Sequence, residues 1–150
     1  MVLNETLKAE LTAVNQYLLY SKICQNWGYP RLAAYYTKES REESQHAEQL
    51  IDRILFLKGA PAMTELSSIP DCANVKEQFE SDLALENEAV ARLNDAIKVA
   101  GESGDNATRQ LFVQILLDEN HHVDFLEAQL HAINEIGLAS YLTQQISIAA

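Results

Sequence analysis

The fold is indicated by one stretch of the sequence, Glu39-Ser-Arg-Glu-Glu-Ser-Gln-His-Ala-Glu-Gln-Leu-Ile-Asp-Arg-Ile-Leu-Phe-Leu57. Leu50, Ile54 and Leu57 recur at steps of four and three residues, which predicts an amphipathic helix with these side chains against a core. Following the same face towards the N-terminus leads to His46 and then to Glu43. The helix therefore directs an imidazole and a carboxylate at the place where its leucines are buried, and a buried carboxylate needs a partner that offsets its desolvation.

Length and composition predict one folded domain over residues 1–150. The chain has 150 residues, of which 47% are hydrophobic, as is normal for a globular protein with a sizeable core. Eleven basic and 22 acidic residues give a formal net charge of −11. This balance argues against nucleic acid as a partner, because such binding depends on Lys and Arg neutralising phosphates. An acidic surface is compatible with attracting cations.

The sequence shows no targeting or membrane signal. The segment from Met1 to Leu7 lacks the basic and apolar regions of a signal peptide, and no apolar run reaches about 18 residues. Cys24 and Cys72 are far apart and form no C-x-x-C pair, so they indicate neither a disulfide framework nor a zinc site. We expect a cytoplasmic protein that makes no membrane contact.

Turn residues and helical periodicity predict an all-α protein. Four long helices are expected at about 4–26, 31–58, 75–100 and 106–136, with a shorter fifth helix from Leu138 to Ile148. The first and third connections are short and favour antiparallel neighbours. The connection from Gly59 to Asn74 is long enough to reach roughly 50 Å, whereas a helix of about 26 residues spans near 40 Å. The prediction is a four-helix bundle with one long crossover connection and a short C-terminal helix.

Each long helix places a carboxylate on its apolar face, and two of the helices add a histidine three residues later. On the first helix, for example, the predicted face comprises Leu7, Leu11, Val14 and Leu18 around the carboxylate. Two equivalent carboxylates follow one another at a spacing of 33 residues in both halves of the chain. The complete set is Glu10, Glu43, His46, Glu86, Glu119 and His122.

This pattern predicts a site for two metal ions. Residues at i and i+3 project from one helix face, so a Glu-x-x-His pair can offer an oxygen and a nitrogen to one metal. Four carboxylates balance the charge of two divalent ions. The ligand types suit iron, and also zinc, manganese and cobalt. The alternative is a metal-free polar core of Glu–His and Glu–Tyr hydrogen bonds.

Several other residues carry weaker signals. His121 and His131 are expected at the surface. Tyr17 is expected near the carboxylate of the first helix, where it would hydrogen-bond a ligand, act as a redox-active ring or simply pack in the core. A second set of apolar residues, expected on outer faces and therefore at contacts between copies of the chain, comprises Leu19, Tyr20, Ile51 and Leu55.

Four segments resemble the bacterioferritin family over nearly the whole chain. They are Glu10-Leu-Thr-Ala-Val-Asn-Gln-Tyr17, Arg53-Ile-Leu-Phe-Leu57 with Gly59 and Pro61, Asp82-Leu-Ala-Leu-Glu86, and Gly137-Leu-Ala-Ser-Tyr-Leu142. The resemblance implies a ferritin-like four-helix bundle that assembles into a hollow cage of 24 subunits and stores ferric mineral. The six candidate residues also make up the ligand set of ferritin-like di-iron bundles.

The resemblance further implies a role for each ligand. Glu10, Glu43 and His46 would hold one iron, and the remaining three would hold the other. Glu43 and Glu119 would bridge the pair. The implied activity is that of a ferroxidase, in which Fe²⁺ is oxidised by dioxygen or peroxide and the ferric product passes into the cavity.

Two other classes of function stay open at this point. One is another di-metal carboxylate oxidase or peroxidase, although the chain lacks a cysteine-ligated iron module and has no room for a substrate domain. The other is a structural cage subunit or DNA-protecting shell, against which stand the intact ligand set and the acidic charge.

One position departs from the family pattern. The family usually has a methionine directly after the Glu43 position, where two subunits each give a thioether to one haem, but this chain has Ser44. A neutral hydroxyl is a poor haem ligand. The only methionines are Met1 and Met63, and neither is expected on the relevant helix. We therefore expect a haem-free homo-oligomer, while a Met-bearing sister subunit could still pair with this one in a mixed cage.

Overall fold

The computed structural model describes residues 2–147, and these confirm the all-α prediction. The five helices, numbered in chain order, are α1 Val2–Trp27, α2 Pro30–Phe56, α3 Val75–Glu102, α4 Asn106–Ile136 and α5 Leu138–Thr143. No strand occurs within residues 2–147. None of the described helices combines the length and apolarity that crossing a membrane requires.

The helix ends are fixed by capping residues. Asn74 accepts a hydrogen bond from the Glu77 amide at 2.9 Å, and Asp105 accepts one from the Thr108 amide at 3.2 Å. Each satisfies an amide that the first helical turn leaves unpaired. At the other end of α4, Gly137 has φ +83°, a conformation that glycine adopts at little cost, and it turns the chain into α5.

The crossover between α2 and α3 is held along α1, as the bundle prediction required. The Asn4 side chain donates to the Ala60 carbonyl at 3.1 Å and accepts from the Ala62 amide at 2.9 Å. Further along, the Ser67 amide donates to the Thr12 hydroxyl at 3.1 Å. Because α1 packs on α2 and α3 packs on α4, the crossover joins two helical hairpins into one four-helix bundle.

Two apolar clusters fill the ends of the bundle and leave a polar layer between them. One cluster, at the N-terminal end of α1, includes Leu7, Leu50 and Phe112. The other, at the C-terminal end of α1, is rich in aromatic rings: Tyr17, Tyr20, Tyr36, Phe79 and Tyr141. All six candidate ligands are buried in the layer between the clusters.

Some details of the sequence prediction were wrong. Leu18 on α1 is 48% exposed and Leu57 is 43% exposed, so neither belongs to the buried face. Tyr20, expected outside, is fully buried, and its hydroxyl donates to the Pro70 carbonyl at 2.8 Å. The buried face of α1 runs from Leu7 through Glu10, Ala13 and Tyr17, one residue out of step with the face predicted beyond Leu7. A shift of one residue rotates a helix face by about 100° and exchanges inside for outside.

The predicted fifth helix is shorter in the structure. It ends at Thr143 rather than near residue 148. Residue 148 itself lies outside the described part of the chain. The predicted start of α1 at residue 4 and end of α2 at residue 58 also moved, to Val2 and Phe56.

Candidate metal centre

The bundle brings the six sequence-predicted residues together in two overlapping groups. The first group comprises Glu10, Glu43, His46 and Glu119, and the second comprises Glu43, Glu86, Glu119 and His122. Within each group, one potential ligand atom from every residue lies within 4.8 Å of all the others. Both groups contain Glu43 and Glu119, so these two carboxylates stand between the two sets of donors.

The two hairpins contribute equivalent halves of the centre. Each candidate ligand of the first hairpin has a counterpart of the same residue type 76 positions later: Glu10 and Glu86, Glu43 and Glu119, His46 and His122. Glu43 and His46 share one face of α2 because residues at i and i+3 are neighbours on a helix. The same spacing on α4 repeats the arrangement, which gives the centre an approximate two-fold symmetry within one chain.

The imidazole rings direct Nδ1 into the centre. His46 Nδ1 lies 3.2 Å from Glu119 Oε1, and His122 Nδ1 lies 3.2 Å from Glu43 Oε1. Each histidine of one hairpin is therefore closest, within the centre, to the shared carboxylate of the other hairpin. A nitrogen that faces several carboxylates in this way is well placed to bind a cation between them.

On the side of each ring that points away from the centre, Nε2 lies next to one or two further carboxylates. His46 Nε2 lies 2.8 Å from Asp118 Oδ2, while His122 Nε2 lies 2.9 Å from Glu42 Oε2 and 2.8 Å from Glu39 Oε2. Metal-binding histidines generally donate their second N–H to such an acceptor, which fixes the tautomer and leaves the other nitrogen for the metal. The sequence analysis did not assign a role to these carboxylates, although two of them, Glu42 and Asp118, directly precede Glu43 and Glu119.

Burial and mutual repulsion shift the titration of the centre. Desolvation, followed by the charge of Glu43, raises the pKa of Glu10 well above its usual range. Desolvation and the adjacent Glu119 act in the same direction on the pKa of Glu86. Burial opposes the charging of His46 and His122, but the surrounding carboxylates outweigh it and raise both pKa values far above the ordinary value. In the metal-free centre these shifts all favour the protonated form of the four groups.

The centre contains buried polar atoms that no hydrogen bond satisfies among residues 2–147. They are Glu43 Oε1 and Oε2, Glu86 Oε2, Glu119 Oε1, His46 Nδ1 and His122 Nδ1. Leaving a buried polar atom unpaired costs about 1–3 kcal/mol, and more for a charged group. This favours a cation-binding centre over a metal-free network of hydrogen bonds, because cations would satisfy all six atoms at once.

A second polar layer adjoins the centre. The Tyr17 hydroxyl donates a hydrogen bond to Glu86 Oε1, one of the three roles considered for this residue from the sequence. One helical turn away, the Tyr36 hydroxyl donates to Asp82 Oδ2 and Gln16 Nε2 donates to Asp82 Oδ1 at 2.9 Å. Asp82 is completely buried, and desolvation raises its pKa to about 7 although both hydrogen bonds oppose the shift.

The remaining residues singled out in the sequence lie away from the paired donors. His121 and His131 are exposed, as predicted. Ser44 is half-buried on α2, and Met63 is 51% exposed in the crossover. Cys24 and Cys72 are free thiols.

Comparison with known proteins agrees with the fold. Residues 2–136 match the family model of the ferritin-like domain. The chain is 45% identical to a bacterioferritin of Mycolicibacterium paratuberculosis over 97% of its own length and 92% of the relative's. It is 43% identical to a bacterioferritin of Streptomyces coelicolor, covering 96% of this chain and 86% of the relative. It is 42% identical to a bacterioferritin of Brucella melitensis over 93% and 86% of the two chains. A match of this extent, on a bundle that carries the two overlapping donor groups, shows that the chain belongs to the bacterioferritin family of ferritin-like proteins.

Proposed function

We propose that this protein is a ferroxidase that stores iron: it oxidises Fe²⁺ at the six-residue centre and retains the ferric product in a hollow assembly. The observation that carries the proposal is the pair of buried donor groups that share Glu43 and Glu119. Fe²⁺ and Fe³⁺ are the substrate and product here, so the centre must bind iron and later release it.

The arrangement of side chains suits this reaction. Two irons held by shared carboxylates lie next to each other, so each can give one electron to the same oxidant: 2 Fe²⁺ + O₂ + 2 H⁺ yields 2 Fe³⁺ + H₂O₂. Anionic oxygen donors stabilise Fe³⁺ more than Fe²⁺, which makes the bound iron easier to oxidise. Asp118 and Glu42 keep the imidazole rings oriented while the charge in the centre changes.

The test is rapid mixing of the metal-free protein with Fe²⁺ in air. We expect a fast absorbance phase that saturates near two Fe²⁺ per chain. His122→Ala and Glu119→Ala should lose this phase, whereas His131→Ala removes an exposed histidine from the same helix and should retain it. Equally fast oxidation in His122→Ala would refute the assignment.

We further propose that the chain forms a closed homo-oligomer, a cage of 24 subunits. Exposed apolar side chains are distributed along the bundle, including Leu18 at 48%, Leu55 at 54%, Phe56 at 70% and Ile136 at 54%. Exposed apolar surface of this extent on one small chain is typical of contacts between subunits. Analytical ultracentrifugation should show one large species, and a uniform 16.8 kDa monomer would contradict the proposal.

Iron is the only metal or cofactor that we propose for the homo-oligomer. The homo-oligomer is proposed to lack haem, because Ser44 occupies the position at which the family resemblance implies an axial methionine. A mixed cage with a Met-bearing sister subunit would restore one thioether per haem position. We place the protein in the cytoplasm, where the free thiols of Cys24 and Cys72 are kept reduced.

A further inference from the structure

The two halves of the metal centre differ at the carboxylate that each half does not share with the other. The Tyr17 hydroxyl donates a hydrogen bond to Glu86 Oε1, while Glu86 Oε2 is buried without a hydrogen bond in the described part of the chain. The residue equivalent to Tyr17, 76 positions later, is Leu93, which has no hydroxyl to offer Glu10. Both histidines, by contrast, have a carboxylate partner at Nε2. The carboxylate of one half is therefore held by a tyrosine hydroxyl, and its counterpart is not.

A buried carboxylate on α3 joins three helices next to this hydrogen bond. Asp82 accepts the hydroxyl proton of Tyr36 on α2 and, at 2.9 Å, an amide proton of Gln16 on α1. All three side chains are at most 1% exposed. Burial of a carboxylate is unfavourable without such donors, and hydrogen bonds to a charged acceptor are strong. We call these three residues the Asp82 tie, and it fixes α1, α2 and α3 relative to one another.

The Asp82 tie restrains both partners of the hydrogen bond on Glu86. Tyr17 directly follows Gln16 on α1, and its ring packs against the ring of Tyr36 with the centroids 5.9 Å apart. Glu86 lies about one helical turn beyond Asp82 on α3. Neither the hydroxyl nor the helix that carries the carboxylate can move without disturbing the tie, so Glu86 is fixed before a cation arrives.

The other half of the chain has no equivalent of the tie. The counterparts of Asp82, Tyr36 and Gln16 are Thr6, Phe112 and Arg92. The Thr6 hydroxyl donates to the carbonyl of Val2 on its own helix, at 2.9 Å. Phe112 has no hydroxyl and lies in the apolar cluster at the N-terminal end of α1. The packing around Glu10 is therefore apolar where the packing around Glu86 is hydrogen-bonded.

We propose that the Asp82 tie makes the position between Glu86 and His122 the first of the two to bind a cation. Asp82 and Tyr36 are then positioning residues that act through Glu86. A glutamate that is already fixed loses less side-chain freedom on binding a metal than one that is free to turn. Supporting hydrogen bonds of this kind typically change metal affinity about 10–100-fold. This inference rests on the metal centre of the proposed function and adds to it the order in which the two positions fill.

The experiment loads the metal-free protein with one Co²⁺ per chain and records anomalous maps at the cobalt edge. In the wild type, the peak beside His122 should be about three times as high as the peak beside His46, which is the ratio that an affinity difference of about ten-fold gives at this loading. Tyr36→Phe should bring the two peaks to similar heights. This variant should fold, because Phe112 is buried at the equivalent position of the other half.

A second variant and a control test the tie more closely. Asp82→Asn keeps the shape of the side chain but leaves one acceptor oxygen for two donors, so it should also bring the peaks to similar heights. Tyr141→Phe removes another buried hydroxyl from the same aromatic cluster, one that donates to the neutral amide of Gln129 at 2.6 Å. It should keep the peak ratio of the wild type.

The outcomes separate this inference from the proposed function. Two peaks of equal height in the wild type, or a higher peak beside His46, would overturn the order of filling and leave the paired centre standing. A wild-type ratio retained in Tyr36→Phe or in Asp82→Asn would overturn the role of the tie. Absence of both peaks in the wild type at two Co²⁺ per chain would instead count against the proposed function.

Discussion

Asp118 on α4 holds Nε2 of His46 on α2, and Glu42 on α2 holds Nε2 of His122 on α4, so each hairpin orients the imidazole of the other. The histidines therefore reach their working orientation only when the two hairpins pack together. The donor side chains of the centre are therefore organised by the same packing step that forms the bundle.

We expect Asp118→Asn to weaken cation binding without unfolding the protein. The Asp118 side chain is 56% exposed, so its contribution to stability is small, but it fixes the tautomer of His46. Loss of such a supporting carboxylate typically lowers metal affinity about 10–100-fold. Competition between the protein and a chromophoric chelator for Zn²⁺ measures this directly. Asp124→Asn, an exposed change on the same helix, serves as the control, and equal affinities in the two variants would contradict the role given to Asp118.

Cation binding should release protons and strengthen as the pH rises. Burial and neighbouring carboxylates raise the pKa values of Glu10 and Glu86, and the surrounding carboxylates raise those of His46 and His122, so the metal-free centre favours the protonated form of each. A ligand must lose its proton before it can bind a metal, so cation binding should displace protons from the centre. Calorimetry with Zn²⁺ in two buffers of different ionisation enthalpy gives the number of protons released per chain. Binding without proton release would show that these groups are already deprotonated.

Protein produced alone with haem in supply should contain none. The pyridine-haemochrome spectrum of the purified assembly tests this, and about one haem per two chains would contradict it. Ser44→Met should introduce haem, because it restores the thioether that the family resemblance implies at this position. Glu48→Met, one helical turn away at an exposed position, is the control and should stay haem-free.

The stability of the metal-free protein should depend on pH through Asp82. Burial raises the pKa of this carboxyl to about 7 in the folded chain, against 3.8 when exposed. Its contribution to stability is therefore fully present below pH 4 and lost as the pH rises through 7. Asp82→Asn removes this dependence, so relative to the wild type it should be more stable at pH 8 than at pH 4.5, by an amount on the order of a few kcal/mol. Guanidinium unfolding at the two pH values provides the comparison, with exposed Asp95→Asn as the control. A difference that does not change with pH would refute the argument.

The fold and the six central donors followed from the sequence because both depend on local spacing. A Glu-x-x-His pair on an apolar face occupies one side of any helix, whatever that helix packs against. The supporting contacts could not be obtained in this way. The pairing of Asp118 with His46 joins residues 72 positions apart and depends on how one ring is turned towards another helix. Glu39 gave no signal either, since its burial follows from the packing of α2 on α4 rather than from its own surroundings in the chain.

The apolar face of α1 was the clearest error, and its cause is physical. Leucines at 7, 11 and 18 suggested one stripe, but a purely apolar criterion ignores buried tyrosines whose hydroxyls find partners inside the protein. Tyr17 and Tyr20 occupy the inner face because Glu86 and the Pro70 carbonyl accept their hydrogen bonds.

The correspondence of residues across 76 positions has a consequence for the redesign of such a chain. One α1–α2 hairpin already supplies two carboxylates and an imidazole, so two identical hairpins related by a rotation axis would present the same donors as the intact bundle. The crossover, hydrogen-bonded to Asn4 and Thr12, joins the two halves in one chain, so equivalent positions can carry different residues. Glu39 and Ile115 occupy equivalent positions in the two halves, so a buried carboxylate lies beside His122 where an aliphatic side chain lies beside His46.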